Sequence, residues 1–400
     1  MIVGARVFDG ERVLDQVDVR VAGGLITEVA VGDRPQPGEQ VVDGSGSTLL
    51  PGMIDAHTHA DRDALRSALL FGVTTEFDLL SMPEVMGPLR REAAVRTNLA
   101  DVRSASVGLT VPDGHPHQLR RGMGDPIWPT ATRPDEVPGF VADRLAEGAD
   151  YLKVLVEDGR VLGTPVPRLD PEVLRAAVRS GHQRDVLVLV HTLTLEAARQ
   201  AISAGADALT HLFVDQPHTT EIIEQIASCG AFVIPTLTTL AAITGQPAGA
   251  ELAADPRVRS KVEPVWLESL TRVRGSVPSE NFAFALATVA ALREAGVDVL
   301  AGTDASAPQV PGLAHGASLH DELRLLVQAG LTPIEALRAA TVLPARRFGL
   351  SDRGRIAPGL RADLLLVAGD PTAVIGDSLS IQGVWRQGAR LPLTRTCNKA

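Results

Sequence analysis

Four hundred residues with 38 Lys and Arg against 48 Asp and Glu carry a formal charge of −10, which argues against wholesale binding to nucleic acid or anionic lipid. An apolar share of 45% with only 3% aromatics, alongside 27 Pro and 37 Gly, describes a globular chain with an Ala, Val and Leu core between many turns, and excludes a disordered or fibrous one. The partners expected are small or neutral molecules, and the length allows one large barrel or two to three ordinary domains.

Residues 1–48 alternate apolar and polar positions between Gly- and Asp-rich turns, in MIVGARVFDG, VLDQVDVRVAGGLITEVAVG and QVVDGSGSTLL, which predicts short strands. The start lacks the apolar stretch of a signal peptide. From 50 to about 350 short apolar runs alternate with helical stretches, the pattern of strand-helix units around a parallel sheet. Eight runs are counted: LLPGMIDAH, VTTEFDL, VRSASVGL, YLKVLV, VLVLVH, ALTHLF, FVIPTL and DVLAGTD. They predict an α/β fold, a (β/α)8 TIM barrel over 51–350 with its active site at the C-terminal strand ends. After Leu350 strand-like alternation resumes, so 1–50 and 351–400 are expected to pair into one small β-sandwich domain. The stretch from Gly245 to Pro264 is less regular and reads as a lid or a long connection. The run FAFALATVAAL at 282–292 is shorter than the ~20 residues that cross a bilayer, so no membrane partner is expected. Cys229 and Cys397 stand far apart without a CxxC pair, which points to neither a disulfide framework nor a thiolate zinc site, and to a cytoplasmic setting.

The chemistry concentrates at strand ends. His57 and His59 close the first run two positions apart, a spacing that puts both imidazoles on one face of a strand. His191 closes the fifth run, His211 lies in the sixth and Asp304 closes the eighth; four imidazoles and a carboxylate in one barrel mouth suit zinc or a similar divalent ion. Lys153 stands near the end of an otherwise buried strand. Two readings stay open for it: an amine that reaches solvent or pairs with Glu157 or Asp158, and a neutral amine that adds carbon dioxide to become a metal-bridging carbamate. Asp304 reads either as a helix N-cap or as a functional carboxylate.

PGMIDAHTH at 51–59, LKVLVEDG at 152–159, VLVHTLTLEAARQAISAGADALTHLF at 188–213, VIPTL at 233–237, AGTDA at 301–305 and the run from LHDELRLLVQAGLTPIEALRAAT through GRIAPGLRADLLLV resemble, in this order, the amidohydrolase superfamily over nearly the whole chain. The combination is similar to the binuclear branch with a carboxylated lysine, in the imidazolonepropionase-related and Xaa-Pro-dipeptidase-like subset. Imidazolonepropionases resemble a one-metal form without the bridging lysine, from which Lys153 sets this chain apart. The resemblance implies His57, His59 and Asp304 on a buried metal, His191 and His211 on a more exposed one, and carboxylated Lys153 between them, with zinc as the expected ion. Two metals about 3.5–4 Å apart hold a bridging hydroxide and polarise the scissile carbonyl, and Asp304 acts as general base and then acid. The implied activity is hydrolysis of an amide, peptide-like or cyclic C–N bond. Rivals are a heterocycle deaminase, an ester, lactone or phosphotriester hydrolase on the same site, and a non-catalytic scaffold.

Weaker signals surround this set. His115, His117, Arg120, Arg121 and Trp128 lie on a barrel-mouth loop and read as substrate contacts or plain surface, with either arginine a candidate clamp for a carboxylate. His320 reads as a residue that orients metal ligands, and His182 and His218 as surface or capping residues. SMPEVMGPL, GDPIWP, Leu237, Leu240 and Ile243 suggest a pocket for an apolar acyl group in a small-molecule substrate. Homo-oligomerisation is left open.

Overall fold

The computed structural model describes residues 1–120 and 128–393, apart from the side chains of 119 and 120. At both chain ends the period-two alternation makes strands, and those strands share one eight-stranded hydrogen-bonded sheet. Ile2–Phe8 pairs antiparallel with Val13–Ala22, which pairs with Leu25–Ala30; on its other side Ile2–Phe8 runs parallel to Ser47–Pro51. Leu364–Ala368 lies antiparallel between Ser47–Pro51 and Ile381–Arg386, so the two ends of the chain meet as neighbours. Successive residues point to opposite faces of a strand. Accordingly Leu49, Leu364 and Leu366 pack with Ile2, Val19 and Trp385 in a core of their own, while Leu50, Leu365 and Val367 join the large core shared with the helices.

Seven of the eight apolar runs are strands. Met53–Thr58, Val73–Asp78 and Asp101–Ser104 form one parallel sheet; Leu152–Leu155, Val188–His191, Ala208–Thr210 and Phe232–Ile234 form another. The run at 298–304 is not a regular strand: it meets its neighbours through isolated bridges, Val233 to Val299 and Thr58 to Ala305 just beyond it, and through backbone hydrogen bonds such as Leu300 to the Val233 carbonyl and Ala56 to the Ala301 carbonyl, while a further bridge, Leu109 to Val154, joins the two parallel sheets. Helices follow the strands and are cut by local signals. Leu195–Ala204 starts where the Thr194 side chain accepts from the Ala197 amide and stops at Gly205, whose φ of 87° closes the last turn. The arrangement is TIM-barrel-like. The stretch beyond Gly245 is not a bare loop: Ala248–Ala254, Pro256–Arg259 and Pro264–Thr271 are short helices that bury Leu252, Val258 and Leu270 against Phe71 and Ala314. Among the described residues no helix is long and apolar enough to cross a membrane.

Inside the strands, Ile54, Phe77, Tyr151, Leu189, Phe232 and Leu300 pack into one cluster. Phe348 caps it, stacked on Phe77 at 4.0 Å and edge-on to Tyr151 and Phe232. The side-chain period of two places Lys153 and His191 one layer above Tyr151 and Leu189. An apolar floor thus sits beneath a polar mouth.

The same parallel strands are tied to the terminal segments by buried charge. Asp101 accepts from Arg353 at 2.6 Å and Arg361 at 3.1 Å, while Asp363 pairs with Arg361 at 3.0 Å and Arg386 at 3.2 Å. Burial pushes the Asp101 carboxyl up, but Arg353 and Arg361 outweigh it and hold it below its ordinary 3.8. Removing one partner of such a network leaves an uncompensated buried charge, so Asp101→Asn is expected to cost about 3–5 kcal/mol in urea unfolding at pH 7. A depressed carboxylate stabilises above its unfolded pKa of 3.8 and stops doing so as pH falls through its folded value. The gap between variant and parent should therefore close below about pH 4.

Candidate active site

Backbone pairing, more than side-chain reach, brings the first and eighth runs together. Asp304 donates its amide to the His57 carbonyl at 2.7 Å. Gly302 permits this approach, since a Cβ there would sit 2.9 Å from the His57 nitrogen. Asp55 locks the pair from below by accepting the amides of His57 and Thr303 at 3.2 and 3.0 Å and the Thr303 hydroxyl at 2.7 Å. Asp304 Oδ1 then lies 3.3 Å from His57 Nε2 and 3.0 Å from His59 Nε2. It does not cap a helix.

His211 and His191 close the ring of donors, with ring centroids 4.7 Å from His57 to His211 and 4.6 Å from His191 to His211. One ligand atom each from His57, His211 and Asp304 lies within 4.8 Å of the others. His211 Nδ1 is 2.7 Å from Thr236 Oγ1. His211, Thr236 and Asp304 all adopt positive φ, 67°, 50° and 64°, a costly conformation for residues with a Cβ. Strained backbone at three strand ends is held by the surrounding packing, and it aims side chains into the mouth.

Lys153 is buried beneath this group and donates to Thr210 Oγ1. The pairing with Glu157 or Asp158 that the sequence allows does not form: Asp158 binds Arg160 and Glu157 binds His191. Burial drives the Lys153 amine down to about 7, opposed by Asp304. Burial, and then the Lys153 charge, lower His57 and His191 to about 3; burial holds His211 well below its ordinary value. For Asp304 burial acts upward, yet the charge of His57 and the hydrogen bonds from both histidines hold the carboxyl well below 3.8. Neutral imidazoles beside an ionised carboxylate are the protonation states that metal ligands need. His57 Nδ1, a buried nitrogen with no hydrogen-bond partner, adds to the fit. The donor set suits zinc or a similar ion.

The remaining candidates divide. His115 is buried against His191, centroids 4.8 Å apart, and takes a hydrogen bond from Gln118 on Nδ1; His117 packs near Trp128. Arg121 and the side chain of Arg120 lie outside the described residues. His320 does not orient the centre: its ring nitrogens contact Ser378 Oγ and the Phe71 carbonyl, tying a barrel helix to the C-terminal segment. His315 contacts Glu76 and the Ser306 carbonyl, His182 pairs with Asp207 and His218 meets Thr288. Tyr151 spends its hydroxyl on backbone carbonyls of Asp78 and Arg103. Leu80, Val107, Leu155 and Trp128, with Met82, form a separate apolar cluster at the strand ends. Gly108 lies between that cluster and Lys153, its Cβ position 3.0 Å from Leu155, 3.2 Å from Leu80 and 3.3 Å from Lys153. Sequence reasoning missed Thr210 and Thr236 as partners of Lys153 and His211. Only the position of Thr210, immediately before His211, hinted at it.

The profile of the amidohydrolase family matches residues 48–391. An uncharacterized Mycobacterium tuberculosis protein is 32% identical over 59% of this chain, and the match spans only 56% of that relative's length. An imidazolonepropionase of Deinococcus deserti is 26% identical over 94% of this chain and 92% of its own. Among solved structures, a Xaa-Pro dipeptidase with bound methionine superposes with a TM-score of 0.78 at 22% identity, covering 98% of both chains. Molinate hydrolase superposes at 0.76 and 20% identity, covering 100% of this chain and 98% of its own. At such identities the structural likeness carries the fold. With a profile match over most of its length, this chain belongs to the amidohydrolase family.

Proposed function

We propose that this chain is a binuclear metal-dependent hydrolase of amide, peptide-like or cyclic C–N bonds. The observation that carries the proposal is the convergence of His57, His211 and Asp304 ligand atoms within 4.8 Å, beside a buried lysine held near neutrality. Family membership and the imidazolonepropionase relative support C–N hydrolysis. In this reading His57, His59 and Asp304 would hold one ion, His191 and His211 the other, and Lys153, once carboxylated, would offer oxygen ligands to both, with zinc as the metal. A bound divalent pair supplies a water whose pKa is lowered to about 7 and a Lewis acid for the scissile carbonyl. Asp304, ionised and within hydrogen-bond reach of two imidazoles, takes the proton of the attacking water and returns it to the departing nitrogen. The apolar cluster of Leu80, Met82, Val107, Leu155 and Trp128 supports a small-molecule substrate with an apolar acyl group. We further propose a closed (β/α)8 barrel over 51–350 and a small terminal domain from 1–50 and 351–400, supported by the bridges between sheets and by the shared terminal sheet. The cysteine usage supports a cytoplasmic setting.

A one-metal C–N hydrolase is the second reading. It is favoured by the single three-ligand group among the described residues. Metal content per chain separates the two: two ions per chain in the zinc- and bicarbonate-loaded protein support the first, one ion the second. Under the two-metal reading Lys153→Ala drops to one ion or none and loses turnover of N-acyl amino acids or dipeptides, and short carboxylic acids restore part of both. Full activity and two ions in the unaided variant refute the carbamate. At saturating zinc, Asp304→Asn is expected to lower kcat by about 10²–10⁴-fold, the range for loss of general acid–base catalysis.

Lys153 also sets a pH dependence of stability in the metal-free protein. Its folded value of about 7 lies below the ordinary 10.5, so burying the ammonium is destabilising, fully so below pH 7 and decreasingly as pH rises toward 10.5. Lys153→Met should therefore raise Tm most below pH 7, with the gain shrinking steadily up to pH 10. A gain independent of pH would place the amine in solvent.

A further inference from the structure

Glu157 takes no part in the proposed chemistry, yet its carboxylate is buried at the end of the lysine strand with one oxygen 3.0 Å from His191 Nε2. The contact is built, not incidental. The other carboxylate oxygen accepts the Gly159 amide at 2.6 Å. Gly159 turns the chain at φ 77°, and a Cβ there would lie 1.8 Å from the Thr164 carbonyl oxygen, so no side chain fits. That turn is itself pinned from across the mouth, with Ser276 Oγ donating to the Val161 carbonyl at 2.7 Å and Arg274 to the Leu162 carbonyl at 3.3 Å. On its other side the His191 ring is flanked by His115, 4.8 Å between centroids at 32°.

We propose that Glu157 is a positioning residue that fixes the tautomer and ring orientation of His191 for a divalent cation. A neutral imidazole has one N–H. With a carboxylate acceptor at Nε2 the proton resides there, and Nδ1 keeps the lone pair a metal requires. A carboxylate on the far nitrogen also raises the basicity of the ligating one, and loss of such a partner typically lowers metal affinity about 10–100-fold. The alternative role for a buried acid in this place is direct ligation. The contact argues against it, because the oxygen nearest the histidine is committed to an N–H and the other to a backbone amide.

The inference rests on His191 being a metal ligand, and the experiment separates the two. Zinc affinity is measured on full-length, metal-stripped protein by competition with a chromophoric chelator, for the parent, Glu157→Gln and Glu157→Ala. The [15N]histidine spectrum of each zinc-loaded protein is recorded, with the His191 signal assigned by its loss in His191→Gln. Positioning predicts His191 protonated on Nε2 and zinc-bound through Nδ1. It also predicts a graded loss of affinity, small for Gln, whose amide oxygen still accepts the N–H, and about 10–100-fold for Ala. An alanine variant within twofold of the parent overturns the proposal, as does zinc bound through Nε2. Equal, near-complete loss in Gln and Ala makes Glu157 a ligand and overturns it as well. A parent protein that takes up no zinc overturns both this inference and the hydrolase reading, whereas tight binding by parent and Ala alike overturns the inference alone.

Discussion

A buried amine with no acidic partner of its own is the constraint around which the mouth of this fold is organised. Lys153 meets a threonine hydroxyl where an ordinary buried lysine meets a carboxylate, and the acid that opposes its loss of charge, Asp304, is shared by two histidines. An ammonium in that position would be expensive. Burial drives the amine down to about 7, and the same burial lowers His57, His191 and His211 around it. Three imidazoles are thereby left neutral beside a lysine whose proton is loosened, facing one carboxylate that stays ionised. Such a cavity is electron-rich, an environment that suits a divalent cation.

Much of this was legible in the sequence because it is local. Period-two alternation announced the terminal strands, the apolar runs announced seven of the parallel strands, and strand-end positions named His57, His59, Lys153, His191, His211 and Asp304. What was not legible is what depends on partners far away in the chain. The eighth run looks like a strand yet pairs irregularly, by isolated bridges and scattered backbone hydrogen bonds, close to His57 where Gly302 leaves room and Asp55 accepts the Thr303 amide. The helices after Gly245 are short and punctuated by proline, so no period had room to develop. The Asp101–Arg353 pair spans 252 residues, and nothing near either residue hints at the other.

His320 and Glu157 make the point in opposite directions. His320 reads in the sequence as a residue that orients metal ligands; its contacts with Ser378 and Phe71 instead make it a clasp between the barrel and the C-terminal segment. Glu157 was weighed only as a partner for the lysine four residues before it. Its bond to His191 crosses to the next strand, and parallel pairing, not sequence spacing, brings the two together. Residue type and position along a strand identify who is present at such a mouth. Only the lateral neighbour identifies what each one does.

The terminal sheet has a consequence for how this enzyme can be divided. Ser47–Pro51, clamped between strands from both ends of the chain, is separated by a single residue from Met53–Thr58, the strand that delivers His57. That residue is Gly52, whose missing Cβ would lie 2.3 Å from Thr74 Oγ1, so the joint is threaded through a gap too narrow for any side chain. The first histidine is thus anchored at its root to a platform assembled from sequence extremities. A fragment trimmed to the catalytic region would lose the mooring of that strand, and the folding of the two ends upon each other becomes a precondition for the geometry between them.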